Sequence, residues 1–183
     1  MQPILQGERL QLRPATLDDL PALHACWREP DVRRYLFDDR EVTLELAREV
    51  LLGCLPMADR GMGVWTLWHD DVQVGNAGLY PVSTADEHEP RIAGLLEPLV
   101  ALHAAHQHRG YATEALELLL HHGFTRLGRS VIAAVHDEPN HASGRMILRA
   151  GFEPLGTVEG PIHRLCTYVQ SAGRWSGRQR AAR

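Results

Sequence analysis

One stretch near the middle of the chain combines hydrogen-bond donors with a glycine at the point where a helix begins. Residues 106–115 read HQHRGYATEA, and apolar side chains recur at helical spacing from there on. The first turn of a helix leaves main-chain N–H groups without partners and carries a partial positive charge. None of the residues 107–111 is a good helix cap, whereas Gly110 lets a bulky anion approach the main chain and Arg109 adds a charged donor. The stretch is therefore predicted to bind a phosphate-bearing ligand.

The segments around this stretch alternate between strand and helix patterns. Strands are predicted at residues 8–15, 96–102 and 130–135, with a hairpin turning at residues 69–71 and two closing strands before residue 171. Helices are predicted after Thr16, from residue 42 onwards, from Gly110 towards Gly128, and from Asn140 to Gly151. This order predicts an α/β fold. Within it, Gly110 also has a simpler interpretation, in which the glycine only eases a tight turn into a helix.

Composition narrows the classes of function. The chain has 183 residues, 44% of them hydrophobic, and a net charge of −4, which fits one water-soluble domain and argues against nucleic acid as a partner. The 19 basic residues are all arginine, so the protein has no lysine of its own to modify. Three scattered cysteines match no metal or redox spacing and favour a reducing cytoplasm. No apolar run is long enough for a signal peptide or a membrane span.

Two blocks of sequence resemble a known family. Gln107-x-x-Gly110-x-Ala112 resembles the Q/R-x-x-G-x-G/A motif of the GNAT superfamily of acyl-CoA-dependent N-acetyltransferases. GYATEA resembles the RimJ/RimL-type branch of that superfamily, as do the block from Asn140 to Phe152 and the opening GERLQLRPATLDDL. The resemblance extends to about residue 169. It implies a GNAT fold: a mixed sheet of about six to seven strands flanked by about four helices, with the fourth and fifth strands splayed. A single domain is expected over residues 1–171, followed by a flexible arginine-rich tail at 172–183.

The resemblance also implies where acetyl-CoA would bind. The main chain of the fourth strand would hydrogen-bond the pantetheine arm like an added strand. Asn140 would either reach the pantetheine side or cap the helix that follows it, and both roles can coexist. The residues expected to hold the pantetheine and the diphosphate are Val100, Ala101, Leu102, Gln107, His108, Arg109, Gly110, Tyr111 and Ala112.

Catalysis in such an enzyme needs a proton acceptor for the amine and a donor for the thiolate. Glu97 sits where the branch often carries a glutamate and is the candidate base, acting through water; the alternative is an exposed strand carboxylate. His136 is a second candidate base, or else a solvated loop histidine. Many relatives use a tyrosine seven residues after the asparagine as the acid, but Ile147 stands there. Ser143 is therefore the candidate for polarising the sulfur.

Other functions remain open at this point. His103, His106 and His108 resemble a metal-ligand run and suggest a hydrolase, but no further ligands complete the set, so no metal is expected. A second alternative is a non-catalytic acyl-CoA-binding or sensing module. The favoured function is acetyl transfer to a primary amine, either a protein N-terminus or a small molecule. A bacterial, cytoplasmic enzyme without membrane or nucleic-acid partners is expected, and a homodimer is left open.

Overall fold

The computed structural model describes residues 1–82 and 89–181. Across these residues the chain forms eight strands and six α-helices, a mixed α/β architecture. The strands are β1 (Leu5–Gln6), β2 (Leu10–Pro14), β3 (Gly63–His69), β4 (Val72–Pro81), β5 (Leu96–Leu102), β6 (Val131–Asp137), β7 (Glu153–Val158) and β8 (Leu165–Ser171). The helices are α1 (Leu20–Trp27), α2 (Pro30–Leu36), α3 (Leu44–Cys54), α4 (Tyr111–His121), α5 (His141–Arg149) and α6 (Ala172–Ala181).

The strands hydrogen-bond in the order β1-β2-β3-β4-β5-β6-β8-β7. β1 to β4 pair as antiparallel neighbours in sequence, and β8 pairs antiparallel with both β6 and β7. β5 and β6 are parallel, and the described residues contain one registered pair between them, Leu96 with Ile132. The order is therefore a run of hairpins, a single parallel step and a closing hairpin, which is what the alternating pattern of the sequence predicts.

Two main-chain hydrogen bonds give the register between β4 and β5. The N–H of His103 donates to the carbonyl of Val74 at 3.0 Å, and the N–H of Val82 donates to that of Leu95 at 2.9 Å. Residue numbers rise on one strand as they fall on the other, so the pair is antiparallel. Because hydrogen bonding alternates along such a pair, the odd-numbered residues of β5 direct their main-chain groups at β4.

The chain divides into two compact units, each with a core of its own. The first comprises Met1–Leu79 and Leu99–Leu119, and the second comprises Tyr80–Pro98 and Leu120–Arg183. Strand and helix side chains of the first unit are fully buried, among them Leu10, Leu12, Leu23, Leu51, Trp65 and Leu67. In the second unit the cluster of Val82, Ile92 and Ala133 is packed against Leu95, Val135, Leu155 and Val169.

A helix that the sequence patterns do not predict lies between α1 and α3. α2 begins with Pro30 at its first position, where the missing N–H has no cost and the fixed φ suits a helix. The residue before a proline avoids helical geometry, and Glu29 is extended with ψ of 135°. α2 is only seven residues long, too short for a clear helical period. Its start places the Glu29 carboxylate outside the helix.

The C-terminal segment differs from the expected flexible tail. Residues 172–181 form α6, and residues 182 and 183 lie outside the described part of the chain. Trp175 is buried, with its ring 5.5 Å from that of Phe124 and 5.7 Å from that of His121. Arg178 donates to the carbonyl of Arg149 at 2.6 Å and so binds the end of α5. One aromatic anchor among arginines and small residues gives too weak a pattern to predict this docking.

Candidate coenzyme A site and catalytic residues

The predicted phosphate-binding stretch lies between β5 and α4, in the first unit. A short 3₁₀ turn over Ala104–His106 leads into it. His108 and Gly110 both have left-handed backbone geometry, with φ of 60° and 80°. Such geometry is uncommon for a residue with a side chain and easy for glycine, so the loop needs a glycine at position 110. We call residues 107–112 the phosphate loop.

The phosphate loop presents main-chain donors at the start of α4. The first hydrogen bond of the helix runs from the N–H of Glu114 to the carbonyl of Gly110, at 3.2 Å. Within the ranges 1–82 and 89–181, the N–H groups of residues 110–113 donate to no carbonyl and to no side chain of the protein. Consecutive free donors at a helix N-terminus form a site for an anion. The residues present therefore fit a diphosphate group.

The end of β5 is tied to the loop by a side chain. Gln107 donates through Nε2 to the carbonyl of Leu102 at 3.3 Å. The β4–β5 register turns the main-chain groups of Val100 and Leu102 away from β4. The main-chain groups of Ala101 point at β4 instead. Of the three predicted pantetheine-binding residues, two thus have the orientation that an added strand requires.

A glycine in β4 allows close approach to the same segment of β5. A Cβ atom at Gly75 would stand 2.2 Å from the carbonyl oxygen of Ala101 and 2.8 Å from Cα of Leu102. Both distances are well below van der Waals contact, so any side chain at position 75 would push β5 away. Gly75 therefore sets the position of the strand end from which the phosphate loop departs.

Glu29 binds the turn that leads from β5 into the phosphate loop. Its Oε1 lies 2.6 Å from Nδ1 of His103, and its Oε2 accepts the N–H of Ala104 at 2.7 Å. Because an ionised carboxylate only accepts, the imidazole carries its proton on Nδ1. Among the described residues, no group of three or more His, Cys, Asp or Glu side chains is placed to hold a metal ion.

Arg9 contacts the phosphate loop and binds Glu114, which lies in the first turn of α4. Arg9 donates through Nη1 to the carbonyl of Arg109 at 2.9 Å and through Nε to Oε2 of Glu114 at 2.9 Å. Its guanidinium carbon is 5.2 Å from the centre of the Tyr111 ring. The side chain of Arg109 itself is exposed. No motif in the sequence assigns a role to Arg9, Glu29 or Glu114, although Arg9 and Glu114 lie inside the blocks that carry the family resemblance.

Asn140 and Ser143 belong to the second unit and are joined by a helix cap. The Oδ1 atom of Asn140 accepts the main-chain N–H of Ser143 at 3.2 Å, so Asn140 is the N-cap of α5. This is one of the two roles that the sequence leaves open for Asn140. Ser143 lies in the first turn of the helix and is half-buried. Ile147 lies one turn further on and is buried.

His136 is a buried strand residue and not a solvated loop histidine. Its side chain is held at both ring nitrogens: Nδ1 lies 2.7 Å from the carbonyl of Asp137, and Nε2 lies 3.1 Å from the hydroxyl of Tyr168. A carbonyl only accepts, so Nδ1 carries the proton and Nε2 accepts from Tyr168. Burial raises the pKa of the Tyr168 hydroxyl, and the neighbouring Cys166 raises it further. Both ring nitrogens of His136 are therefore engaged by neighbouring groups of the protein.

Glu97, the candidate base, lies on β5 in the second unit and is half-buried. It is less exposed than the exposed strand carboxylate of the simpler interpretation and is not a core residue. Like the other odd-numbered residues of β5, Glu97 directs its main-chain N–H and carbonyl groups at β4. The structure thus leaves Glu97 with partial access to water, as a base that acts through a water molecule requires.

Comparison with known proteins identifies the family. The profile of the acetyltransferase (GNAT) domain matches residues 9–153, which is most of the chain. The chain belongs to the GNAT family of acetyltransferases. It is 29% identical over 161 residues to the uncharacterized N-acetyltransferase YoaA of Bacillus subtilis, an alignment that covers 86% of this chain and 87% of YoaA. It is 24% identical over 157 residues to the N-acetyltransferase p20 of Bacillus licheniformis, with 84% of each chain covered.

Solved structures confirm the GNAT fold. A Bordetella pertussis protein named for the GNAT family superposes with a TM-score of 0.78 at 25% identity, covering 93% of this chain and all of that one. RimL, a ribosomal L7/L12 α-N-protein acetyltransferase solved with coenzyme A, superposes with a TM-score of 0.74 at 18% identity, covering 92% of this chain and 98% of RimL. The described residues of this GNAT protein form eight strands and six α-helices, whereas about six to seven strands and about four helices were expected. Short elements such as β1 and α2 account for the difference, because they leave little trace in the sequence.

GNAT enzymes take their acetyl group from acetyl-CoA, and this GNAT protein is an acetyltransferase. No helix in the described ranges combines the length and the apolar character needed to cross a membrane. The family match gives the reaction class, but neither it nor the relatives named here gives the amine that accepts the acetyl group.

Proposed function

We propose that this enzyme transfers the acetyl group of acetyl-CoA directly to the α-amine of a protein or peptide N-terminus. The observation that supports acetyl-CoA as the donor is the run of free N–H groups at residues 110–113, which starts at the left-handed Gly110. These donors and the partial positive charge of the helix start suit the doubly charged diphosphate of the co-substrate. Acetyl-CoA supplies the activated thioester.

In the proposed complex each part of the cofactor arm has a separate task. The main chain of Val100 and Leu102 hydrogen-bonds the pantetheine as an added strand would. The main chain of the phosphate loop surrounds the diphosphate at Gln107, His108, Tyr111 and Ala112. Arg109 adds a charge-assisted contact from the solvent side. Ala101 supports the same strand through its pairing with β4. Asn140 acts as the cap of α5 and orders the main chain of that segment.

The transfer forms a bond from the amine nitrogen to the acetyl carbon and breaks the bond from that carbon to sulfur. At pH 7 roughly a tenth of an α-amine is neutral, because its pKa is about 8, whereas a lysine amine with a pKa near 10.4 is almost wholly protonated. Glu97, through a water molecule, takes the proton that the amine loses. The hydroxyl of Ser143 polarises the leaving sulfur in place of the tyrosine that Ile147 replaces.

The choice of an N-terminal amine rests on the GYATEA block at residues 110–115, which resembles the RimJ/RimL branch. A small-molecule amine is the second candidate, because members of the same branch also modify such amines. A non-catalytic acyl-CoA sensor is the third, favoured only by Ile147 at the tyrosine position.

A panel of acceptors tests the proposal. The purified protein is incubated with acetyl-CoA and peptides of varied N-terminal residue, their N-formylated counterparts, polyamines or aminoglycosides, and free thiol release is followed. Turnover with free but not blocked peptides supports the N-terminal acceptor. Turnover with polyamines or aminoglycosides alone overturns it in favour of a small amine. Binding of acetyl-CoA without turnover on any acceptor identifies a sensor.

A further inference from the structure

The carboxylate of Glu114 is bound by three donors from the first strand region. Its Oε1 accepts the main-chain N–H of Arg9 at 2.7 Å and that of Leu10 at 2.9 Å, while its Oε2 accepts Nε of Arg9 at 2.9 Å. The side chain of Glu114 is only 15% exposed. Such a carboxylate, held by three charge-assisted bonds, has a fixed position relative to the strand.

The guanidinium of Arg9 extends from this carboxylate to the phosphate loop. Nη1 donates to the carbonyl of Arg109 at 2.9 Å, and Nη2 would lie 3.2 Å from a Cβ atom at Gly110. The same group lies over the ring of Tyr111. One side chain thus contacts Arg109 and Tyr111 on either side of Gly110, and all of these groups belong to the first unit.

The bond from Arg9 to the carbonyl of Arg109 also determines where the next donor points. In a trans peptide unit the carbonyl of one residue and the N–H of the next face opposite ways. With the carbonyl of Arg109 facing Arg9, the N–H of Gly110 faces away from Arg9 and remains free for an anion. Turning that peptide over would direct a carbonyl oxygen at the diphosphate.

We propose that Arg9 and Glu114 form a latch that positions the phosphate loop for the diphosphate of acetyl-CoA. The latch rests on the proposed co-substrate site and adds two positioning residues to it. Arg9 orients the peptide between Arg109 and Gly110, and Glu114 holds Arg9 in place. Arg9 also neutralises a carboxylate that would otherwise repel a bound anion within the first turn of α4.

Replacing Arg9 and replacing Glu114 are expected to affect binding differently, because the two side chains carry opposite charges. Replacing Arg9 with glutamine leaves the Glu114 carboxylate unneutralised near the diphosphate, whereas replacing Glu114 with glutamine removes that charge and leaves Arg9 mobile. R9Q is therefore expected to weaken binding more than E114Q. Because both act through one contact, the double variant is expected to bind no more weakly than R9Q alone.

Calorimetric titration with coenzyme A tests the latch in the whole protein. R9Q is expected to raise Kd by about tenfold, as the loss of one charged hydrogen bond would. R13Q is the matched control, because Arg13 lies on β2 with its guanidinium 4.4 Å from the ring of Trp68, away from the loop. R9K keeps the charge but cannot span both partners, so it is expected to fall between the wild type and R9Q.

A second substrate separates positioning from general damage. Acetyl-pantetheine lacks the diphosphate, so R9Q is expected to keep the wild-type kcat/KM with acetyl-pantetheine while KM for acetyl-CoA rises. Equal binding of coenzyme A by R9Q, R9K and the wild type overturns the latch. Equal losses with both thioesters also overturn it, by showing a structural role. Failure of the wild type to bind coenzyme A overturns the co-substrate site itself, and the latch falls with it.

Discussion

Glu29 and His103 are 74 positions apart in sequence, yet their side chains lie 2.6 Å apart and join the start of α2 to the end of β5. The second carboxylate oxygen of Glu29 holds the N–H of Ala104, at the entry to the loop. One side chain therefore fixes both the imidazole and the main chain at the point where β5 leads towards the phosphate loop.

Replacing Glu29 with glutamine is expected to loosen this entry. The amide still accepts one bond but loses the charge that strengthens both, so Kd for coenzyme A is expected to rise by about three- to tenfold. Calorimetric titration measures the change. E41Q, at an exposed carboxylate on the loop before α3, is the control and is expected to bind as the wild type does. Unchanged binding by E29Q would show that the loop keeps its position without Glu29.

A glutamate at position 110 is expected to weaken the binding of acetyl-CoA severely. The φ of 80° strains any residue with a side chain, and the new carboxylate adds repulsion to the diphosphate. Affinity is expected to fall about a hundredfold for G110E and about tenfold for G110A, which has the strain without the charge. G128E is the matched control, at a glycine with φ of 62° and open space around it. Survival of affinity in G110E would disprove the loop assignment.

Removing the cap of α5 is expected to affect stability more than binding. N140A is expected to lower the free energy of unfolding by about 1 kcal/mol, because the N–H of Ser143 loses its acceptor. Urea denaturation measures this change, and N140D, which keeps an acceptor oxygen, is expected to stay close to the wild type. If N140A also raises KM for acetyl-CoA while N140D does not, Asn140 contributes to the cofactor site as well as to the helix.

The candidate base is tested by the pH dependence of turnover. E97Q is expected to lower kcat/KM for the amine most at low pH, where the amine is protonated and needs a proton acceptor, and to leave Kd for coenzyme A unchanged. E159Q, at an exposed carboxylate of the same unit, is the control. A pH profile of E97Q parallel to that of the wild type would remove Glu97 from the mechanism.

Acid is expected to weaken the latch. Burial alone raises the pKa of Glu114, but the N–H groups of Arg9 and Leu10 and the Arg9 guanidinium more than offset this, so the pKa lies below its usual value of 4.5. A lowered pKa in the folded state contributes stability above pH 4.5 that is lost as the pH falls through the folded value. The stability gap between the wild type and E114Q should therefore close below pH 4.5 in urea titrations. A gap that is constant down to pH 3 would contradict the lowered pKa.

Local patterns predicted the elements that carry the site. The bounds of β5 were expected at residues 96–102 and are found there, because a short apolar run bounded by turn residues is typical of a buried strand. The start of α5 after Asn140 and the left-handed Gly151 at its end are likewise set by neighbours in sequence. α2 and α6 were not predicted, since α2 is too short to show a helical period and α6 is anchored by a single tryptophan.

The sequence by itself indicated the family, the proposed phosphate loop and the order of the elements, because these depend on residue types at short, regular spacings. The tertiary structure decided which side chains hold the loop. Arg9 meets Glu114 across 105 positions and Glu29 meets Ala104 across 75, and no local pattern records such pairs. The tertiary structure also buries His136 between the carbonyl of Asp137 and the hydroxyl of Tyr168. Whether a polar side chain is free to react depends on contacts that exist only after the chain has folded.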